Sequence, residues 1–214
     1  MALIHHAQLS PSKSEILATW VPTQPWSGGS AELERVDAYR FDDPDGEVGI
    51  ETHLLRTADG RVLHVPLTYR GAPLGGAEDS LVATMDHSVL GTRWVYDACA
   101  DPVYVATLVT AIATGGGAAD LVDAETGKAT QGSVKVSGSG TPDSPVPTIG
   151  RIAHTSDATT TTVSAGGVGI VLMRVIDTSA GLPEGAGVLT GTWPGQGSPT
   201  LLAVLRPGVG RVKS

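Results

Sequence analysis

The sequence predicts an α+β domain in which a large, mainly antiparallel sheet packs against a few helices. Segments rich in Val, Ile, Thr and Leu recur at short spacing along most of the chain, separated by turn residues. The 28 glycines and 14 prolines favour short elements and many turns. Strong helix-start signals stand at only two places, Ser10 to Glu15 and Asp101-Pro102.

Residues 1–9 alternate weakly and suit an edge strand. Ser10 and Pro11 then open a helix, and Ser12-x-x-Glu15 has the form of a capping box. Pro22 and Pro25 stop that helix just beyond Trp20, because proline lacks the N–H and clashes with the preceding turn. From Val36 the pattern turns to strands: VDAYRF, EVGIETHLLR and RVLHVPLTYR. The last two flank Thr57-Ala58-Asp59-Gly60, a hairpin turn. Pairing Arg56 with Arg61 across it sets His53 directly opposite His64. Ile50, Leu54, Leu63, Val65 and Leu67 then form the core face, and Glu51, His53 and His64 the other.

Asp101 is a strong N-cap and Pro102 a first-turn proline. The helix they open runs to about Thr114 and is apolar nearly all round, so it should be buried along most of its length. Thr107, Thr110 and Thr114 are its polar stripe, and Gly115-Gly116-Gly117 ends it. The second half reads as β, with strands near 132–138, 148–154, 159–164, 168–176, 187–193 and 199–206, and a hairpin turn at Ala165-Gly166-Gly167. Ser137 to Pro147 reads as an exposed loop or linker. Residues 1–117 form the first half; residues 118–214 continue the same domain or form a small β subdomain.

A net charge of −8 and a pI near 5.1 argue against a nucleic-acid or anionic-membrane surface. The lone Cys99 excludes an internal disulfide framework and suits a reducing cytoplasm. No signal peptide and no apolar run of membrane-spanning length is readable. Asparagine does not occur, which excludes kinase catalytic loops that hold a metal through Asn. Phosphate-binding P-loop, dinucleotide-binding glycine motif and G-x-S-x-G elbow are missing too, and no cofactor is expected.

Three constellations carry chemistry. Glu51, His53 and His64 could bind a divalent metal through carboxylate and imidazole, against a plain polar sheet face. Asp86-His87-Ser88 holds triad residue types, but adjacent side chains point apart and cannot align nucleophile, base and orienter. Arg93, Trp94, Tyr96, Asp97 and Asp101 are the densest polar-aromatic group. Arg93, Trp94, Tyr96 and Asp97 could stack on and hydrogen-bond a sugar or partner, or Trp94 and Tyr104 could simply anchor the buried helix while Arg93 pairs with a nearby carboxylate.

The segments LIHHAQLSPSK, VDAYRFDDPDGEVGIET, PLTYRGAPLGGAE and HSVLGTRWVYDACADPVY resemble the actinobacterial maltokinase N-terminal cap-like proteins. The resemblance is densest from Val36 to Ile112. It implies an α+β fold with a curved antiparallel sheet, and a place near the trehalose-to-glycogen pathway. The second half offers nothing onto which maltokinase ATP and sugar residues could map. The expected function is a non-catalytic, stand-alone cap-like module, binding or regulatory, tied to α-glucan, maltose or trehalose metabolism, with a protein or an α-glucan-related sugar as partner. The alternatives are a carbohydrate-binding or carbohydrate-active protein using its scarce Trp and Tyr residues, and a small enzyme built around His53, His64 and Asp86.

Overall fold

A computed structural model describes residues 2–4 and 7–207. In chain order the elements are β1 (Ala2–Ile4), β2 (Leu9–Ser10), α1 (Lys13–Trp20), β3 (Leu33–Phe41), β4 (Gly49–Thr57), β5 (Val62–Arg70), β6 (Leu81–His87), β7 (Gly91–Asp97) and α2 (Pro102–Thr114). The second half adds β8 (Leu121–Asp123), β9 (Ala129–Thr130), β10 (Lys135–Gly138), β11 (Ile149–Ser156), β12 (Thr160–Gly166), β13 (Val168–Met173), β14 (Val175–Ile176), β15 (Gly187–Trp193) and β16 (Gln196–Pro207). The edge strand expected over 1–9 is two short strands, and its His5 and His6 lie outside the described residues.

Strands hold 47% of the described residues and the two α-helices only 8 and 13 residues, so the architecture is mainly β with a curled sheet, where α+β was expected. Both helices sit where their caps place them; the imbalance comes from added strands. The β6–β7 hairpin is absent from the sequence expectation because β6 alternates between exposed, half-buried and buried positions without a clean period of two. β8 and β9 are too short to leave a pattern.

The first large sheet has the order β2-β6-β7-β5-β4-β3, and β14 joins it by pairing with the start of β5. The second has the order β10-β15-β16-β13-β12-β11, antiparallel throughout. α2 packs among residues of both: Tyr104, Leu108 and Ile112 share one core with Ile50 and Leu54 and with Ile170, Leu172 and Leu202. On the other side of the first sheet, Ile16 and Leu17 of α1 and the fully buried Trp26 cover Leu55, Leu63, Val65 and Leu67. β4 and β5 are thus buried on both faces, as their near-continuous apolar composition allows.

The hairpin register differs from expectation by one residue. Gly60 adopts φ 87°, a left-handed conformation that costs glycine little. Gly60 N–H donates to the Thr57 carbonyl at 2.9 Å and Thr57 N–H to the Arg61 carbonyl at 3.0 Å. The loop is therefore the three residues Ala58 to Gly60, a turn closed by a left-handed glycine, and Arg56 pairs with Val62. His53 lies opposite Val65 and His64 opposite Leu54. A one-residue slip moves a side chain to the other face, so His53 and His64 are on opposite sides of the sheet. Neither meets solvent: they are 4% and 0% exposed.

The second helix matches its prediction. Asp101 accepts from Val103 N–H at 3.0 Å, Gly115 forms the C-cap, and the three threonine hydroxyls donate to carbonyls four residues back. Asp101 also takes two bonds of 2.7 Å from Arg70, and its side chain is wholly buried. A lost cap alone costs about 1 kcal/mol, but each charge-assisted bond is worth about 1.5–3 kcal/mol. Arg70 is 19% exposed and can turn to water once Asp101 is removed, so Asp101→Ala should cost less than the sum of these, about 2–4 kcal/mol in chemical denaturation; a loss below about 1 kcal/mol would show that Arg70 contributes nothing.

The Ser137 to Pro147 stretch is not a free linker at its start. Gly140 N–H donates to the Ile112 carbonyl at 2.9 Å, and a Cβ there would fall 1.7 Å from the Ala113 carbonyl oxygen. Only glycine allows the chain to pass so close to the end of α2. The exposed loop follows it.

Candidate functional site

β4 presents Glu51 and His53 on one face, two residues apart, and α1 lies across that face with Lys13 in its first turn. The capping box forms as predicted: Ser12 accepts from Glu15 N–H, and Glu15 accepts from Ser12 N–H at 2.8 Å. It fixes the start of the helix, where Lys13 forms an ion pair with Glu51. Arg40, opposite Glu51 in the β3–β4 register, places a guanidinium nitrogen 3.6 Å from the same carboxylate. His53 Nε2 is 4.0 Å from Glu51 and 3.3 Å from the Tyr69 hydroxyl, and Lys13 lies 5.1 Å from the Tyr69 ring centre.

Two cavities of about 440 and 730 Å³ meet at this cluster, sharing Leu9, Lys13, Arg40 and Glu51 as walls. The smaller extends toward Asp42, Asp43, Glu47 and Arg93, the larger toward Leu17, Leu33, Arg35 and Leu55. Burial pushes His53 down to about 4, and Lys13, Arg35 and Arg40 add to that against the pull of Glu51. His53 is thus neutral near pH 7. Burial alone would raise Glu51; the charge that His53 takes on in acid, then Lys13 and Arg40, outweigh that and hold it at about 2. At neutral pH the work falls to Lys13 and Arg40. Burial lowers Lys13 from its ordinary value, with Arg40 and Arg35 reinforcing the shift and Glu51 opposing it. The cluster can hold charge and donate hydrogen bonds in a partly dry cleft.

The proposed metal triad does not assemble. Glu51 and His53 remain neighbours, but His64 faces away, and the Lys13 ammonium takes the Glu51 oxygen a metal would need. Among the described residues no group of three or more His, Cys, Asp or Glu is placed to hold a metal ion. His64 instead ties the two halves together: one ring nitrogen is 3.1 Å from the Met173 carbonyl and the other 2.8 Å from the Tyr39 hydroxyl. The carbonyl can only accept, so Nδ1 carries the proton and Nε2 accepts from Tyr39.

Arg93, Trp94, Tyr96 and Asp97 sit on one strand and alternate between its faces. Only Arg93 reaches the cleft; its guanidinium donates to the Leu90 carbonyl rather than to a carboxylate. Trp94 is half-buried, and the Tyr96 hydroxyl accepts from Leu74 N–H at 2.9 Å. Asp97 forms a buried ion pair with Arg174. Trp26 is fully buried, so no Trp lines either cavity. Asp86 accepts from the Thr92 hydroxyl at 3.1 Å, His87 Nδ1 from the Val89 and Leu90 N–H groups, and Ser88 Oγ from Gln8 N–H. These are local turn and edge bonds, and no triad forms. Cys99 is buried, and that burial pushes its thiol up to about 12, so it is no nucleophile.

Sequence reasoning missed Lys13, Arg40 and Tyr69 as neighbours of Glu51, since three different elements supply them. Arg174 was open to detection: it is the one charge inside the apolar run VGIVLMRVI.

Residues 20–101 match the family model of the maltokinase N-terminal cap domain. The matched span runs from the end of α1 through β7 to the cap of α2 and includes Arg40, Glu51, His53 and Tyr69. The match supports a cap-like domain of that family in the first half of the chain. No curated protein matches the chain.

Proposed function

We propose, taking a maltokinase N-terminal cap-like region as the premise, that this protein is a non-catalytic cap-like module. It acts by binding or regulation in α-glucan, maltose or trehalose metabolism, in the cytoplasm, with residues 1–117 and 118–214 acting as one unit. The family match over 20–101 carries the reading. It is supported by the cleft beside Glu51, where charged groups and apolar walls converge. No helix among the described residues is long and apolar enough to cross a membrane.

The carbohydrate-binding reading keeps only Tyr39 and Tyr69 in the cleft, since Trp26, Trp94 and Tyr96 lie outside it, and the enzyme reading loses its paired histidines, which face apart. Incubated with ATP, magnesium and maltose, glucose or trehalose, the purified protein should form no sugar phosphate; turnover that persists through repurification would overturn the module reading. A thermal-shift screen with maltose, trehalose, maltose 1-phosphate, nucleotides and divalent metals identifies what binds. A ligand present at about 100 times its Kd adds about 2.7 kcal/mol, a rise of roughly 5–10 °C for a chain of this size.

A further inference from the structure

We infer that the larger lobe of the cleft binds a small organic anion, its acidic head against Arg35, Lys13 and Arg40 and its apolar body along Leu17, Leu33 and Leu55. This rests on the reading of the protein as a binding module and gives the class of its ligand. The lobe's volume, about 730 Å³, lies in the range of small-molecule sites.

Charge decides the head group. Three cations, Lys13, Arg35 and Arg40, line the larger lobe against two carboxylates, Asp37 and Glu51, on a chain whose net charge is −8. Both carboxylates are already engaged: Glu51 by Lys13 and Arg40, Asp37 by the Ser133 hydroxyl and the Ala38 N–H. Arg35 is exposed at the cleft and forms no ion pair among the described residues. The smaller lobe has the opposite balance, with Asp42, Asp43, Glu47 and Glu51 against Lys13, Arg40 and Arg93, so an anion is directed to the larger one. Glu51 offsets part of the charge of Lys13 and Arg40, and an anion beside Arg35 offsets the positive excess that is left in a partly desolvated space, where charges interact more strongly than in bulk water. The leucines of α1, β3 and β4 supply an apolar wall beside the charged floor.

Isothermal titration calorimetry of the whole chain with hexyl phosphate, hexanoate and 1-hexanol tests this. The phosphate and carboxylate arms separate the two possible heads, and the alcohol isolates the tail. At least one anion should bind about tenfold or more tightly than 1-hexanol, and weaken as salt rises. Arg35→Gln should weaken it about tenfold with the far-ultraviolet spectrum and Tm kept, while Arg206→Gln, in the second sheet, changes nothing. Equal affinity for the alcohol, no heat from either anion, or indifference to Arg35→Gln would overturn the assignment and leave the module reading standing. Chemical conversion of a bound anion would overturn the module reading instead.

Discussion

Asp97→Ala is expected to cost about 3–5 kcal/mol, because it leaves a buried arginine without its counter-charge. Arg174 is 0% exposed, and its Nη2 lies 2.7 and 2.6 Å from the two Asp97 oxygens. Its Nε donates to Thr161 at 2.7 Å, and its guanidinium lies 5.0 Å from the Trp26 ring centre. Burial disfavours its charge, but Asp97 more than offsets that and raises its pKa above the ordinary value. The pair joins the end of β7 to the β13–β14 junction, so its loss should loosen the attachment of the second half to the first sheet. Urea denaturation at neutral pH measures the cost. Pairing Asp97→Leu with Arg174→Met should recover much of it, since a well-packed apolar replacement removes both buried charges. A single-variant loss under about 1 kcal/mol, or a double variant worse than either single, would contradict this account.

Acid should destabilise the protein well before ordinary carboxylates protonate. His64 is held at about 3, by burial first and then by the charge of Arg174, and His53 at about 4. Both values lie below the ordinary 6.5, so between pH 6.5 and about 4 the unfolded chain takes up protons that the folded chain refuses. Stability is then full above about pH 6.5 and falls as pH drops through that window. Each tenfold preference of the folded chain for the neutral ring is worth about 1.4 kcal/mol, so the two histidines together amount to several kcal/mol. Below about 4.5 Glu51 adds to the loss, because its folded value near 2 makes its contribution present above the unfolded value and lost on acidification. Denaturation midpoints measured from pH 7 to pH 4 should fall steadily; a flat profile down to pH 5 would mean both rings reach solvent. His64→Gln should flatten the profile while lowering stability at pH 7, where the Tyr39 and Met173 contacts are lost.

Local chemistry placed both helices. Ser12 with Glu15, and Asp101 with Pro102, satisfy backbone groups within a few residues, so their effect needs no knowledge of the rest of the chain. The strands of the second half were legible for a related reason: dense Val, Ile and Thr between Gly and Pro leave few other options. The family resemblance was legible as well; it was read over most of the chain, and the cap-domain match covers residues 20–101 of it, leaving LIHHAQLSPSK and the body of α2 outside.

Only the tertiary structure decided which residues meet. A single left-handed glycine at position 60 shortens the loop by one residue and sends His64 to the face opposite His53. Nothing in the alternation of β4 and β5 could reveal this, because both faces of these strands are buried and either register satisfies the hydrophobic pattern. The cleft has the same origin: Lys13, Arg40, Glu51 and Tyr69 come from α1, β3, β4 and β5, and become neighbours through helix packing and strand register. The Arg174–Asp97 pair spans 77 residues of sequence and forms because β14 turns back onto β5. Caps, turns and strand composition are fixed by short-range bonds and sterics, whereas the charged site depends on long-range contacts that carry no local signature.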